Sequence, residues 1–261
     1  MAYIVVCAVA LMVAALTLFS GFGLGTLLMP AFAIFFSVTV AVAATAVVHL
    51  ANNLFKVALI GHQADWRVVG RFAIPAAISA MIGAWLLNRF ASMNPLWVYH
   101  LAGEAHEITV VKLVIAVVII FFAWFDLSPR LSKLRFDRRY LPLGGALSGF
   151  FGGLSGNQGA LRSAFLLKAG LEKEAFIGTG VVAAVIVDVA RLLVYGLAFY
   201  ANSFSALAPG VMKLVIAATL AAFIGSYIGR RLLQKVTLCT VQRIVGVTLI
   251  LLGIAPGIGL V

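Results

Sequence analysis

The feature that most constrains this chain is its division into eight long apolar blocks separated by short polar loops. About 20 helical residues cross the hydrocarbon core of a bilayer, and most blocks have about that length. Only 10% of the 261 residues are charged, against about a quarter in a soluble domain. We therefore predict an all-α polytopic membrane protein. The blocks are residues 3–36, 38–61, 70–90, 108–126, 141–168, 174–200, 208–230 and 238–260.

Two of the blocks, 3–36 and 141–168, are too long for one spanning helix, and each contains a glycine-rich segment. These segments are Ser-Gly-Phe-Gly-Leu-Gly at 20–25 and Gly-Gly-Leu-Ser-Gly-Asn-Gln-Gly at 152–159. Each block is predicted to form two half-length helices that meet at a glycine-rich tip, as in a re-entrant hairpin. Such backbone is stable at membrane depth only when it is buried in protein or lines a cavity.

The two broken blocks indicate an internal duplication, and an offset of 135 residues aligns them. Polar and glycine positions recur at this offset, which is informative because apolar matches are expected by chance in such a composition. We predict a first repeat at 1–126, a basic linker at 127–140 and a second repeat at 141–261, each repeat with a broken hairpin and three spanning helices. The matching positions are Ser20 with Ser155, Gly21 with Gly156, Asn53 with Asp188, Lys56 with Arg191 and Gly61 with Gly196.

The loops differ in charge, and this difference predicts the orientation. Loops 62–71, 127–140 and 230–243 are rich in Lys and Arg, whereas loops 91–107 and 200–209 contain neither. Basic loops of membrane proteins lie in the cytoplasm. Three crossings per repeat place the second repeat upside down relative to the first; fully spanning hairpins, with eight spans, are the alternative. The same loops account for the net charge of +11 without a nucleic-acid partner.

One predicted helix carries a polar stripe. His49, Asn52, Asn53 and Lys56 follow the spacing i, i+3, i+4 and i+7, which places them on one helix face. A base within the hydrocarbon costs at least about 2.5 to 3.5 kcal/mol unless it faces a polar cavity or a partner. The stripe predicts a wet cavity, although a polar seam between packed helices would give the same pattern.

The second repeat contributes an acid and a base three residues apart, Asp188 and Arg191, which can pair on one helix face. Such a pair can be purely structural. Because Arg191 falls at the repeat position of Lys56, the duplication favours two bases that approach the same central point.

The glycine tips supply a third candidate element. Ser155, Gly156, Asn157 and Gln158 precede a returning half-helix that carries Arg162, and Ser20 and Gly21 begin the first tip. Half-helix N-termini expose free N–H groups to an anion. Gly21-x-x-x-Gly25 also fits a close helix-packing seam.

Together these candidates comprise three deep bases, one acid and several neutral donors, a composition typical of an anion site. Sulfite, a sulfonate, phosphate or a carboxylate would each fit such donors. His49 and Asp188 are the candidates for carrying a coupled proton. Cys7 and Cys239 show no metal-ligand spacing, and we expect neither a metal nor a cofactor.

At these residues the chain resembles the TauE/SafE family of sulfite and sulfonate exporters. The resemblance rests on the first glycine segment with Pro30, the glycines of 149–159, and the motifs Asn53-x-x-Lys56 and Asp188-x-x-Arg191. It implies an exporter of small sulfur oxyanions or organosulfonates in a bacterial inner membrane, with the substrate between the repeats.

The residues favour a secondary transporter that exposes a midplane anion site alternately to the two sides of the membrane. An anion channel would have the same composition, so the sequence leaves it open. A lipid pyrophosphate phosphatase in the membrane is a weaker alternative, because the deep carboxylates that its acid–base chemistry needs are missing. The oligomeric state is not predicted.

Overall fold

The structure is a computed structural model that describes residues 1–17, 24–101, 104–128, 136–201 and 209–232. Nine α-helices, two short strands and two 3-10 helices lie within these residues. The α-helices are α1 (Ala2–Thr17), α2 (Leu24–Ala33), α3 (Val38–Ile60), α4 (Trp66–Ala91), α5 (Val110–Leu127), α6 (Leu141–Ser155), α7 (Gly159–Leu166), α8 (Lys173–Ala201) and α9 (Pro209–Leu232). The strands are β1 (Trp97–Leu101) and β2 (Glu104–Ile108), and the 3-10 helices are Gly61–Gln63 and Arg138–Tyr140.

Four helical segments are long and apolar enough to cross a membrane: Val38–Gln63, Trp66–Ala91, Lys173–Leu197 and Val211–Gly229. They coincide with four of the six predicted spanning blocks. The block 108–126 forms α5, a shorter apolar helix of 18 residues. The block 238–260 lies outside the described residues.

Both long blocks are divided into two helices, as their glycines predict. The first forms α1 and α2, and its tip, which includes Ser20 and Gly21, lies outside the described residues. The second forms α6 and α7. Helix α6 ends because Gly156 adopts a left-handed conformation with φ of 84°, which a residue with a Cβ rarely adopts.

Glycines allow helix α6 to pack directly on the backbone of α4. A Cβ on Gly149 or Gly153 would lie 2.0 Å from the carbonyl oxygen of Ala76 or Ala80, respectively. Small residues at four-residue spacing permit this close approach in membrane proteins. Because residue numbers increase in the same direction along both helices at these contacts, α6 runs parallel to α4.

A corresponding seam joins the first hairpin to the second half of the chain. A Cβ on Gly225 of α9 would lie 2.2 Å from the carbonyl oxygen of Leu11, and one on Gly229 would lie 2.4 Å from that of Ala15. Helix α1 therefore runs parallel to α9. Helix α4 of the first predicted repeat thus packs against α6, the first hairpin arm of the second repeat. Helix α9 of the second repeat packs in the same way against α1, the first hairpin arm of the first repeat.

Helices α3 and α8, which occupy the same place in the two predicted repeats, cross in opposite directions. His49 and Asn53 in the middle of α3 contact Asp188 in α8. The end of α3 instead approaches the start of α8, where a Cβ on Gly178 would lie 2.8 Å from the carbonyl oxygen of Ile60. This arrangement is antiparallel.

The strands β1 and β2 form a hairpin within the loop predicted at 91–107. They pair antiparallel, with Trp97 opposite Ile108 and Leu101 opposite Glu104. The hairpin adds a small sheet to a structure that is otherwise helical over the described residues.

Large apolar side chains remain exposed on the outer faces of the long helices. Ile74, Ile78 and Trp85 of α4 are 63%, 60% and 58% exposed, and Leu193 of α8 is 59% exposed. Lipid is the solvent that suits such faces. The polar side chains of the predicted stripe lie on the opposite, inner side of the bundle.

Candidate functional site

The centre of the bundle contains a polar cluster arranged around the Asp188 carboxylate. Asp188 lies in α8 and is 0% exposed. Its Oδ1 accepts hydrogen bonds from Arg191 Nη2 at 2.7 Å and Gln158 Nε2 at 3.0 Å. Its Oδ2 accepts from His49 Nδ1 at 2.6 Å and Asn53 Nδ2 at 3.2 Å. One carboxylate therefore joins α3, α8 and the tip of the second hairpin.

Arg191 is committed to protein partners. Its Nε and Nη2 both donate to Asp188 Oδ1, at 3.1 and 2.7 Å, and its Nη1 donates to the Gly152 carbonyl oxygen at 3.1 Å. The predicted pairing of Asp188 with Arg191 is confirmed. The guanidinium stabilises the C-terminal end of α6, whose carbonyl groups lack helical partners.

The tip between α6 and α7 is held by its own polar side chains. Ser155 Oγ donates to the Phe151 carbonyl oxygen and accepts from Asn157 Nδ2 at 3.1 Å. Ser148 Oγ donates to the Gln158 carbonyl oxygen at 2.8 Å. Ser155, Asn157 and Gln158 are all buried, with at most 3% exposure.

The start of α2 meets this tip. A Cβ on Gly25 would lie 2.9 Å from the Gly156 carbonyl oxygen and 3.6 Å from His49 Cδ2. The start of α2 and the tip of the second hairpin therefore meet beside α3, which is where the predicted duplication places a central site.

Two further bases lie in the cluster, Lys56 of α3 and Arg162 of α7, each 6% exposed. Arg162 Nη1 donates to Gln158 Oε1 at 3.2 Å. The two positive charges lie close enough to repel each other. Within the part of the chain that the structure describes, Lys56 Nζ makes no hydrogen bond or ion pair. Among the described residues the cluster therefore contains three bases, Lys56, Arg162 and Arg191, and one acid, Asp188.

Asn52 presents a second donor on the same helix face, one turn before Lys56. Its Oδ1 accepts from Ser226 Oγ of α9 at 2.8 Å, whereas its Nδ2 has no hydrogen-bond partner among the described residues. The Asn157 Oδ1 and Thr45 Oγ1 atoms are likewise buried without partners. Such groups cost free energy unless something else hydrogen-bonds them.

Hydrogen bonds join most of the described candidate residues into one network around Asp188, whereas Asn52 bonds Ser226 and Lys56 makes no hydrogen bond with the described residues. Several further polar residues were missed by the sequence analysis. Thr45, Ser226 and Tyr195 are buried polar side chains next to the cluster, and the Tyr195 hydroxyl donates to the Gly153 carbonyl oxygen. Helical spacing could have found two of them. Thr45 lies four residues before His49, and Tyr195 lies seven residues after Asp188.

Comparison with known protein families gives one match. The model of the family described as sulfite exporter TauE/SafE matches residues 6–255 of the 261-residue chain.

The chain belongs to the TauE/SafE family.

Because TauE/SafE is a transporter family, the chain is a membrane transporter and not an enzyme. This excludes the phosphatase alternative. The family and the apolar helices together make this TauE/SafE chain a multi-pass membrane protein. Neither the search of curated proteins nor the search of solved structures gives a significant match.

Proposed function

We propose that this TauE/SafE protein exports a small oxyanion, sulfite or an organosulfonate, by exposing a central site alternately to the two sides of a bacterial inner membrane. The observation that carries the proposal is the pair of buried donors on α3. Lys56 and Asn52 lie one helical turn apart; Asn52 Nδ2 is buried without a hydrogen-bond partner, and Lys56 Nζ makes no hydrogen bond or ion pair with the described residues. A sulfur oxyanion offers several acceptor oxygens to such donors.

Charge supports the same assignment. A buried base without a counter-ion is costly, and Lys56 has none among the described residues and lies near a second buried base, Arg162. An anion between them offsets both the repulsion and the desolvation. Either a singly or a doubly charged oxyanion would be accommodated, whereas a cation would add to the repulsion.

In this proposal Arg191 is a positioning residue. Its nitrogens donate to Asp188 and to the end of α6, so it fixes the hairpin tip against α8. Lys56, Arg162, Asn52 and Asn53 are the substrate-binding candidates, and the tip residues Ser155, Asn157 and Gln158 shape the site with Ser20, Gly21 and Gly156.

Three packing features support alternating access by two inverted repeats, 1–126 and 141–261. Helices α3 and α8 cross antiparallel at the cluster. Helix α4 packs on α6, and α9 packs on α1, so each repeat holds the hairpin of the other. Rocking of the repeats about this crossing would open the site to one side at a time. By the positive-inside rule, the basic loops 62–71, 127–140 and 230–243 would face the cytoplasm.

Burial of the cluster favours a carrier over a channel. The polar side chains that the structure describes in the cluster are at most 8% exposed. A continuously conducting pore would expose its lining, whereas an occluded site is an expected stage of a carrier cycle.

His49 and Asp188 are the proposed proton carriers, since their hydrogen bond of 2.6 Å lies next to the bases. Coupling to protons is not required for export. An inside-negative potential already favours outward movement of an anion by about 2.3 kcal/mol per charge per 100 mV.

Binding by the purified protein tests the proposal. Sulfite, sulfate, a two-carbon sulfonate, phosphate and acetate are titrated against the wild type, Lys56→Met and Arg89→Ala. Arg89 is the matched control because it is an exposed base at the end of α4. We expect sulfite or the sulfonate to bind, and Lys56→Met to weaken binding about tenfold or more, because charge-assisted hydrogen bonds contribute about 1.5 to 3 kcal/mol. Binding that is indifferent to Lys56 would place the site elsewhere.

A further inference from the structure

A second basic site lies at the start of α4, which follows α3 of the central cluster in the chain. A cavity of about 620 Å³ is lined by Trp66, Arg67, Gly70, Arg71 and Arg138. The three arginine side chains are exposed, and each can donate two parallel hydrogen bonds to a phosphate group.

The carboxylates of this region leave the arginine charge largely uncompensated. Asp65 caps α4, and its Oδ1 accepts from the backbone N–H groups of Arg67 and Val68. Its Oδ2 lies 4.0 Å from Arg138 Nη2, the outer limit of an ion pair. Asp137 caps the following 3-10 helix in the same manner, through Arg139 N. Among the side chains that the structure describes, the three guanidinium groups thus share one partial counter-ion.

The cavity is built from two separately anchored parts. Arg67 and Arg71 lie on α4, while Arg138 follows Phe136, whose ring stacks on Phe165 of α7 at a centroid distance of 4.2 Å. Phe136 N also donates to the Ala164 carbonyl oxygen at 3.4 Å. Arg138 is therefore held next to α4 by contacts with the second hairpin.

An apolar face of α4 continues directly from the arginines. At 100° per residue, Ile74, Ile78 and Trp85 lie on the same side of the helix as Arg67 and Arg71. These three apolar side chains are 58% to 63% exposed. Trp66, at the cavity rim, is 66% exposed, as is typical of an aromatic residue at the level of lipid headgroups.

We propose that this cavity binds the headgroup of an anionic phospholipid, with its acyl chains along the exposed face of α4. The arginines fit the phosphate group, and the apolar face distinguishes a lipid from a soluble phosphate. The bound headgroup would bridge α4 and the segment anchored on α7, and so connect the two predicted repeats. The inference does not depend on the identity of the transported anion.

Thermal unfolding of the purified full chain in detergent tests the site. Phosphatidylglycerol, phosphatidylcholine and glycerol phosphate are added separately. A ligand that binds only the folded state raises Tm. We expect phosphatidylglycerol to raise Tm and the other two to leave it unchanged. An equal effect of phosphatidylcholine would overturn the charge argument, and an equal effect of glycerol phosphate would identify a soluble-anion site instead.

A matched pair of variants locates the effect. The variant Arg67→Gln/Arg71→Gln removes two charges from the cavity, and Arg89→Gln/Lys213→Gln removes two exposed charges from other positions. We expect the first variant to lose affinity for phosphatidylglycerol by about tenfold or more, and the second to retain it. Native mass spectrometry gives the lipid occupancy of each variant independently of its stability. Retention of phosphatidylglycerol by the first variant would refute the proposal.

Discussion

At the scale of the residue, Lys56 is the side chain whose burial the fold explains least and the proposed function explains best. It lies in the middle of a bundle, 6% exposed, without an acidic partner among the described residues. Its unfavourable burial implies a trade between stability and binding. Removal of its charge should therefore raise the stability of the ligand-free protein and weaken anion binding.

This trade gives the first prediction. Lys56→Met keeps the length of the side chain and removes the charge, so Tm of the ligand-free protein should stay equal or rise by several degrees, because a base within the membrane costs about 2.5 to 3.5 kcal/mol. Differential scanning fluorimetry measures this, with Lys213→Met as the exposed control. A pronounced fall in Tm would show that Lys56 has a structural partner.

Asp188 and Arg191 should behave in the opposite way. Replacing either residue alone leaves the other as a buried charge without its partner, which costs about 3 to 5 kcal/mol. Replacing both leaves neither of these charges unpaired. We predict that Asp188→Ala and Arg191→Ala each lower Tm strongly, and that the double variant loses much less than the sum of the two. A double-mutant cycle on unfolding measures the coupling. Additive losses would mean that the pair does not act as a unit.

These residues also show what the sequence could predict. Rare polar residues in an apolar chain are conspicuous, so helical spacing identified His49 through Lys56 and the pairing of Asp188 with Arg191. The contacts between distant segments were beyond such reasoning. Gln158 and Asn53 bind the same carboxylate only because the tip and α3 pack against α8.

At the scale of the element, the α4–α6 seam depends on the absence of side chains. A Cβ on Gly149 would lie 2.0 Å from the Ala76 carbonyl oxygen, which belongs to backbone and cannot rotate away. Gly149→Ala should therefore separate the helices and destabilise the protein by about 1 to 3 kcal/mol. Gly196→Ala is the control, since a Cβ there meets nothing within 4 Å.

The two variants should change thermal unfolding in opposite directions. Alanine in place of an unconstrained helical glycine stabilises by about 0.5 to 1 kcal/mol, so Gly196→Ala should unfold at an equal or higher temperature than the wild type. Equal stability of Gly149→Ala and Gly196→Ala would mean that the seam can relax.

Elements were predictable where composition determined them. The apolar blocks located the described helices and the break between α6 and α7, because a stretch of about 20 apolar residues has few other stable states in a membrane. The β1–β2 hairpin was missed. Its strands have five residues each and are stabilised by pairing with one another, which leaves little periodicity in the sequence.

At the scale of the whole molecule, the packing gives the relative directions of the helices, and the charge distribution predicts which side of the membrane their ends face. The seams make α1 parallel to α9 and α6 parallel to α4, while α3 and α8 cross in opposite directions. If the basic loops are cytoplasmic, α4 runs outward from Arg67, and the β1–β2 hairpin lies on the other side of the membrane.

Cysteine labelling tests this orientation. In a background with Cys7→Ala and Cys239→Ala, single cysteines are introduced as Val98→Cys in the hairpin and Arg138→Cys in the predicted linker, both at exposed positions. We expect a membrane-impermeant maleimide to label Val98→Cys in cells with a permeable outer membrane, and to label Arg138→Cys only after the inner membrane is opened. Labelling of both sites from the outside would contradict the topology, because α5, which lies between them in the chain, would then not cross the membrane. Labelling of Arg138→Cys alone would mean that the spans are as predicted but that the protein has the opposite orientation in the membrane. The cytoplasmic position predicted for loops 62–71 and 127–140, which carry the arginines of the cavity, would then be wrong. The seams and the central cluster would be unaffected.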